Sequence, residues 1–200
     1  MGLPGTIDND IACTDYTIGY DTAMNTAVEM IDKLRDTTQS HDRCSVVEVM
    51  GRNAGYIALN TGIAVGALVT LIPEVPYDLE RDVIAKMKAT QKTGKQHFII
   101  IIAEGVGHAQ DLANEIQSRT GIDSRATVLG HVQRGGSPSP RDRVLASMMG
   151  EKAVDLLMDG VGGHCVGMID NKVTSMPIEE ALSSPRHSRK DLYRLFDRLV

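Results

Sequence analysis

Five short apolar runs most constrain what this chain can fold into: CSVVEV (44–49), LVTLIP (68–73), HFIIIIAE (97–104), RATVLGH (125–131) and HCVGMI (164–169). Runs this short and this rich in β-branched residues suit strands buried on both faces of a parallel sheet. Longer segments with apolar residues at helical spacing lie between them. Over 16–36, Ile18, Ala23, Ala27, Met30, Ile31 and Leu34 form one stripe, and further helices are expected near 54–66, 79–94, 109–120, 140–159 and 188–199. Strand alternating with helix specifies an α/β fold with an open, mostly parallel sheet. The polar break SSPRHSRK (183–190) reads as a joint between two helices.

In such a sheet, ligands bind outside the carboxyl ends of the strands. Met50-Gly51-Arg52-Asn53-Ala54-Gly55 follows the first run, Glu104-Gly105-Val106-Gly107 the third, and His131-Val132-Gln133-Arg134-Gly135-Gly136-Ser137-Pro138 the fourth. The opening GLPG reads as the last turn of another strand, and TIDND follows it. Any one of these clusters can be read as a turn. Four on one edge point to a site.

The chemistry they suggest is anionic. Arg52, Arg134 and His131 are cationic donors suited to phosphate, which arginine grips bidentately. Gly135-Gly136-Ser137 is expected to open the helix near 140 and to offer backbone N–H groups to an anion. Asp8 and Asp10 are costly among cations unless they have work to do. Read as extended, the segment would point both carboxylates the same way, roughly 6.5 Å apart. One could hold Mg²⁺ while the other meets a substrate hydroxyl, and phosphoryl transfer needs both roles.

Composition narrows the partners. A formal net charge of -5 argues against a general nucleic-acid binder. No apolar run reaches membrane length. Cys13, Cys44 and Cys165 are odd in number and form no CxxC pair, which reads as reduced thiols in the cytoplasm.

The stretches PGTIDND, TDYTIGYDTA, SVVEVMGRNAGYIAL, IIIIAEGVG and TVLGHVQRGGSPSPRDR resemble the bacterial 6-phosphofructokinases over nearly the whole chain. The resemblance implies a three-layer phosphofructokinase-like fold and transfer of a phosphoryl group from Mg-ATP to the C1 hydroxyl of fructose 6-phosphate. It implies a cytoplasmic, glycolytic, allosteric homotetramer with sites shared between subunits. By it, Asp8 is the base, Asp10 serves the Mg²⁺-nucleotide, and Thr6 and Arg52 steady the phosphoryl group. Met50, Gly51 and Glu104 contact the sugar. His131 and Arg134 bind the 6-phosphate, with Arg43 and Arg125 reaching across from a neighbouring subunit. Gly5 goes with ATP as donor, whereas lysine there goes with pyrophosphate.

The resemblance also divides the chain. Residues 19–132 with 184–200 correspond to the sugar-phosphate half, and 1–18 with 133–183 to parts of the nucleotide half. The glycine-rich loops that grip ATP in the family are expected to precede residue 1, so a truncated chain, inactive alone, is the expectation. Arg35 and Lys95 match residues that bind effector phosphates, but Leu68, Thr93 and Gln96 replace charged residues nearby, which puts regulation by ADP and phosphoenolpyruvate in doubt. Two alternatives stand beside the kinase: a non-catalytic sugar-phosphate-binding module, and a pyrophosphate-dependent relative, against which Gly5 speaks.

Overall fold

The computed structural model describes residues 1–185 and 190–199. Four parallel strands, β1 (Cys44–Val49), β2 (Val69–Leu71), β3 (Phe98–Ala103) and β4 (Ser124–Val128), form one sheet in the order β2-β3-β1-β4. Their side chains alternate between two cores, which is why the runs are apolar throughout. Val47, Val49, Ile99, Ile101 and Ala103 pack towards α1 (Tyr20–Ser40), α2 (Tyr56–Val65) and α7 (Lys190–Leu199). Cys44, Val46, Phe98, Ile100 and Ile102 pack on the other side, against α3 (Ala85–Gln91), the π-helical turn Leu79–Ile84 before it, and α4 (Ala109–Thr120). The α1 stripe is Tyr20, Ala23, Ala27 and Ile31, a helical spacing that seats one face on the sheet. Helices therefore cover both faces, and β3, central and helix-covered, is buried at every position.

The rest of the chain builds a further, smaller cluster. α5 (Pro140–Met158) lays Leu145, Met149 and Ala153 on Val166 of a hairpin, β5 (His164–Ile169) with β6 (Lys172–Pro177), and Met1, Tyr16 and Ile18 join that cluster. A short α6 (Ile178–Ser183) follows. Among the described residues no helix is long and apolar enough to cross a membrane.

Several expectations need correction. The fifth apolar run is no part of the parallel sheet; it pairs antiparallel with β6, which sequence reading did not anticipate. The run 125–131 stops at Val128 and turns into a 3₁₀ helix, Gly130–Arg134. Gly130 adopts a positive φ of 54° at that change of direction. The opening GLPG makes only two isolated parallel bridges, Gly2 to Cys165 and Gly5 to Ile18. The expected joint at 183–190 falls partly on residues 186–189, outside the described residues.

Candidate functional site

β1 and β3 are neighbours, yet the chain leaves β1 for α2 on one face and β3 for α4 on the other. Such a reversal opens a crevice at the carboxyl ends of the strands. The loops there are interlocked. Glu104 Oε1 accepts from the backbone N–H of Gly51 at 3.1 Å and of Arg52 at 2.6 Å. Gly51 holds φ 143°, and a Cβ there would sit 2.5 Å from the Ala54 carbonyl oxygen. A Cβ on Gly105 would strike the Arg52 carbonyl, so only glycine lets the two loops approach this closely. Gln133 is 1% exposed and reaches over from the 3₁₀ turn, its Oε1 accepting from Met50 N–H at 2.8 Å. Three strand ends are thus fastened into one surface.

The acidic segment meets this surface. Burial, then the Asp10 and Glu104 carboxylates, raise the Asp8 carboxyl above its ordinary range, while Arg134 and Arg52 pull it down. Asp10, Glu104, Arg134 and Arg52 thus all lie within electrostatic reach of Asp8. The segment is not extended, however. Asn9 takes a left-handed φ of 53° and is pinned: its Nδ2 donates to the Asp15 carbonyl at 3.0 Å and its Oδ1 accepts from Thr17 N–H at 2.8 Å. Thr17 Oγ1 donates to the Thr6 carbonyl at 2.6 Å, and Thr6 Oγ1 accepts from Asp8 N–H at 3.2 Å. A folded turn, not strand alternation, sets the two carboxylates.

His131 and Arg134 are exposed on the 3₁₀ turn. Arg134, Gly135, Gly136, Thr22 and Asp142 line a pocket of about 330 Å³ beside them. The expected anion cradle at the start of α5 is different in detail. The helix begins only at Pro140, and Ser139 caps it, accepting from Asp142 N–H at 3.2 Å. Gly135-Gly136-Ser137 lies ahead of the helix rather than opening it.

Arg43 and Arg125 sit at the opposite, amino ends of β1 and β4. Six residues of strand at ~3.3 Å each place them roughly 20 Å from Gly51 and Arg52. They pair with Asp123, Arg43 at 2.6 Å and Arg125 at 3.0 Å. Burial works to raise the Asp123 carboxyl, but the Arg43 hydrogen bond and both guanidinium charges hold it below its usual range. Arg35 donates to the Val65 carbonyl. Lys95 and Leu68 line a pocket of about 220 Å³ with Gly66 and Phe196.

Sequence reading missed residues that hold the site rather than face it. Gln133 is one. Asp142, 2% exposed, accepts from the N–H groups of Gly19 at 2.9 Å and Thr22 at 2.8 Å and so caps α1 from α5. Glu74 accepts from Gly55 N–H at 2.9 Å at the start of α2. All three act across long sequence separations, which no local motif signals.

A sequence profile of the family Phosphofructokinase matches residues 1–157. An ATP-dependent 6-phosphofructokinase of Bacillus thuringiensis (strain Al Hakam) is 57% identical over 195 residues, a match covering 98% of this chain and 61% of that protein. Among solved structures, phosphofructokinase from Saccharomyces cerevisiae is similar with a TM-score of 0.83 and 32% identity, over 99% of this chain and 27% of that one. Pichia pastoris phosphofructokinase in the T-state gives a TM-score of 0.88 and 25% identity, over 98% of this chain and 27% of that one. The chain spans about 61% of the length of the curated relatives it matches.

Proposed function

Since the chain belongs to the phosphofructokinase family, we propose that it supplies the sugar-phosphate site and the catalytic aspartate of an ATP-dependent 6-phosphofructokinase. The observation that carries this reading is the gathering of Asp8, Asp10 and Glu104 with Arg52 and Arg134 where β1 and β3 diverge. A pure binder of sugar phosphates has no use for a carboxylate whose affinity for a proton is raised. A base does, because proton transfer improves as its pKa approaches working pH.

In this reading Asp8 draws the proton from the C1 hydroxyl of fructose 6-phosphate. Arg52 and Thr6 face the phosphoryl group in transfer, where preorganised donors stabilise developing charge. Met50, Gly51 and Glu104 line the sugar, and Glu104 fixes the Gly51-Arg52 turn. His131 and Arg134 take the 6-phosphate. Arg43 and Arg125 lie too far from that site in their own chain, which supports a role in the site of a neighbouring subunit of a homotetramer.

ATP enters with Mg²⁺. Among the described residues no group of three or more His, Cys, Asp or Glu is placed to hold a metal. Mg²⁺ is usually held by one or two carboxylates together with substrate phosphates. Asp10 is the carboxylate that would hold it, and the ion would neutralise charge on the transferred group.

The division of the chain follows the packing. Phe196, Leu192 and Tyr193 of α7 join the α1 and α2 core, which supports placing 184–200 with 19–132 in the sugar-phosphate half. The α5 and hairpin cluster includes Met1 and Ile18, which supports grouping 1–18 with 133–183 in the nucleotide half. A cytoplasmic place in glycolysis goes with the activity. The pocket at Lys95, with Arg35 nearby, is the place for an allosteric effector.

The test joins this chain to the part of the Bacillus relative that lies outside the match and measures fructose 1,6-bisphosphate formation. Asp8→Asn is expected to lower kcat by about 10²–10⁴-fold while fructose 6-phosphate still binds. A loss explained wholly by KM would remove Asp8 from the role of base.

A further inference from the structure

Two thiols far apart in sequence meet in space. Cys13 Sγ and Cys165 Sγ are 3.2 Å apart, and both are free. Their approach is imposed by backbone on both sides. Asp15 N–H donates to the Met168 carbonyl at 2.7 Å, Met168 N–H to Thr14 Oγ1 at 2.9 Å, and Asp170 N–H to Asp15 Oδ2 at 2.8 Å. Gly167 lies against the Cys13 carbonyl, where a Cβ would collide. On the far side of Cys165, Gly2 N–H donates to the His164 carbonyl and Val166 N–H donates to the Gly2 carbonyl, both at 2.8 Å. The loop 13–15 is therefore laced to β5, and the thiols sit where the lacing puts them.

We propose that Cys13 and Cys165 form a reversible oxidation site, closed to an intramolecular disulfide by a peroxide or by a low-molecular-weight disulfide. A disulfide bond is about 2.05 Å long, so the sulfurs need to close by only ~1 Å. Cys165 is half-buried and Cys13 buried, so Cys165 meets the oxidant first. With hydrogen peroxide, the Cys165 thiolate attacks one oxygen, the O–O bond breaks, and water leaves after taking up a proton. The resulting sulfenic acid is attacked by the Cys13 sulfur. The S–O bond breaks, its oxygen takes the Cys13 proton, and a second water departs. Two thiols and one peroxide give one disulfide and two waters. With a low-molecular-weight disulfide, Cys165 first forms a mixed disulfide. Cys13 then displaces the reagent, which leaves as two thiols.

The step is slow at neutral pH. Burial, then the Cys13 hydrogen bond and charge, push the Cys165 thiol up to about 12, and the thiolate is the reactive form. Cys44 provides an internal control. It is fully buried in β1, its thiol is also pushed up to about 12, first by burial, and it lies in a different core from the pair. Cys13 follows Asp10 by three residues, so the bond would tie the acidic segment to β5.

The test uses the 200-residue chain. It is treated at alkaline pH with hydrogen peroxide or, separately, with oxidised glutathione. Thiols are then alkylated, and the peptides are mapped without reduction. The expected result is one peptide pair linked through Cys13 and Cys165, with free thiols falling from 3 to Cys44 alone. Dithiothreitol restores all of them. Cys44→Ser keeps the link; Cys13→Ser abolishes it and leaves Cys165 as the glutathione adduct. The proposal is overturned if Cys13 is still alkylated while Cys165 carries glutathione or a sulfinic acid, if the link runs through Cys44, or if the pair resists both oxidants. The wild-type map decides the matter by itself should either variant fail to fold.

Discussion

Replacing Asp142 by alanine should cost several kcal/mol of stability, on the order of its lost hydrogen bonds. The carboxylate is 2% exposed and accepts from Gly19 N–H at 2.9 Å, from Thr22 N–H at 2.8 Å and from the Thr22 hydroxyl. Hydrogen bonds to a charged acceptor contribute roughly 1.5–3 kcal/mol each. They do not add fully, because water and neighbouring groups recover part of the loss. Counting the two backbone bonds as the larger share, Asp142→Ala should lose about 3–4 kcal/mol, mostly from two N–H groups left without a partner at the start of α1. For a chain of this length that corresponds to a fall in Tm on the order of 10 °C. Asp142→Asn keeps one carbonyl oxygen and should lose about half as much. Urea unfolding followed by circular dichroism measures both. A loss below about 1 kcal/mol for the alanine variant, the size of an ordinary surface substitution, would mean that α1 is not capped from α5.

Three further outcomes follow from the site. A carboxyl raised in the folded state adds stability only while protonated, and that contribution is lost as pH rises through the folded value. Asp8→Asn should therefore melt above wild type at neutral pH, and the gain should vanish below about pH 4 in thermal scans across pH. Arg43→Ala or Arg125→Ala should raise the KM for fructose 6-phosphate about tenfold or more in the completed enzyme, with a smaller effect on kcat. Mixing either variant with a subunit carrying Asp8→Asn should restore activity at shared sites; no rescue would confine the arginines to their own subunit. ADP and phosphoenolpyruvate should shift the sugar saturation curve only weakly, since Leu68, Thr93 and Gln96 leave few charged groups beside Lys95, and a ligand shifts an equilibrium only by its differential affinity. Strong phosphoenolpyruvate inhibition abolished by Arg35→Ala would contradict that.

The parallel sheet was legible because burial on both faces forces β-branched runs: CSVVEV and FIIIIA became β1 and β3 at or near the expected bounds. The gathering of the polar clusters at the carboxyl ends of the buried strands was legible too, since such clusters have few other reasons to be there. The hairpin was harder to see. In KVTSMP only Val173, Met176 and Pro177 are apolar, and every residue of that strand is partly or fully exposed, so no core demanded a strong pattern. The turn at Asn9 depends on Asp15 and Thr17, and the hold on Met50 depends on Gln133; both are tertiary hydrogen bonds without a periodic signature. The residues expected to meet substrate came from motif chemistry, and the residues that hold them in place came only from the fold.

The central claim is that the gathered strand ends form a sugar-phosphate site. Calorimetric titration of fructose 6-phosphate into the chain joined to the remaining part of the Bacillus relative tests it directly, with fructose as the control that lacks the phosphate. Saturable binding is expected for the phosphorylated sugar and not for fructose. Arg134→Ala should weaken it by about 1.5–3 kcal/mol, tenfold or more in Kd. Absence of binding, or equal binding by wild type and Arg134→Ala, would contradict the account.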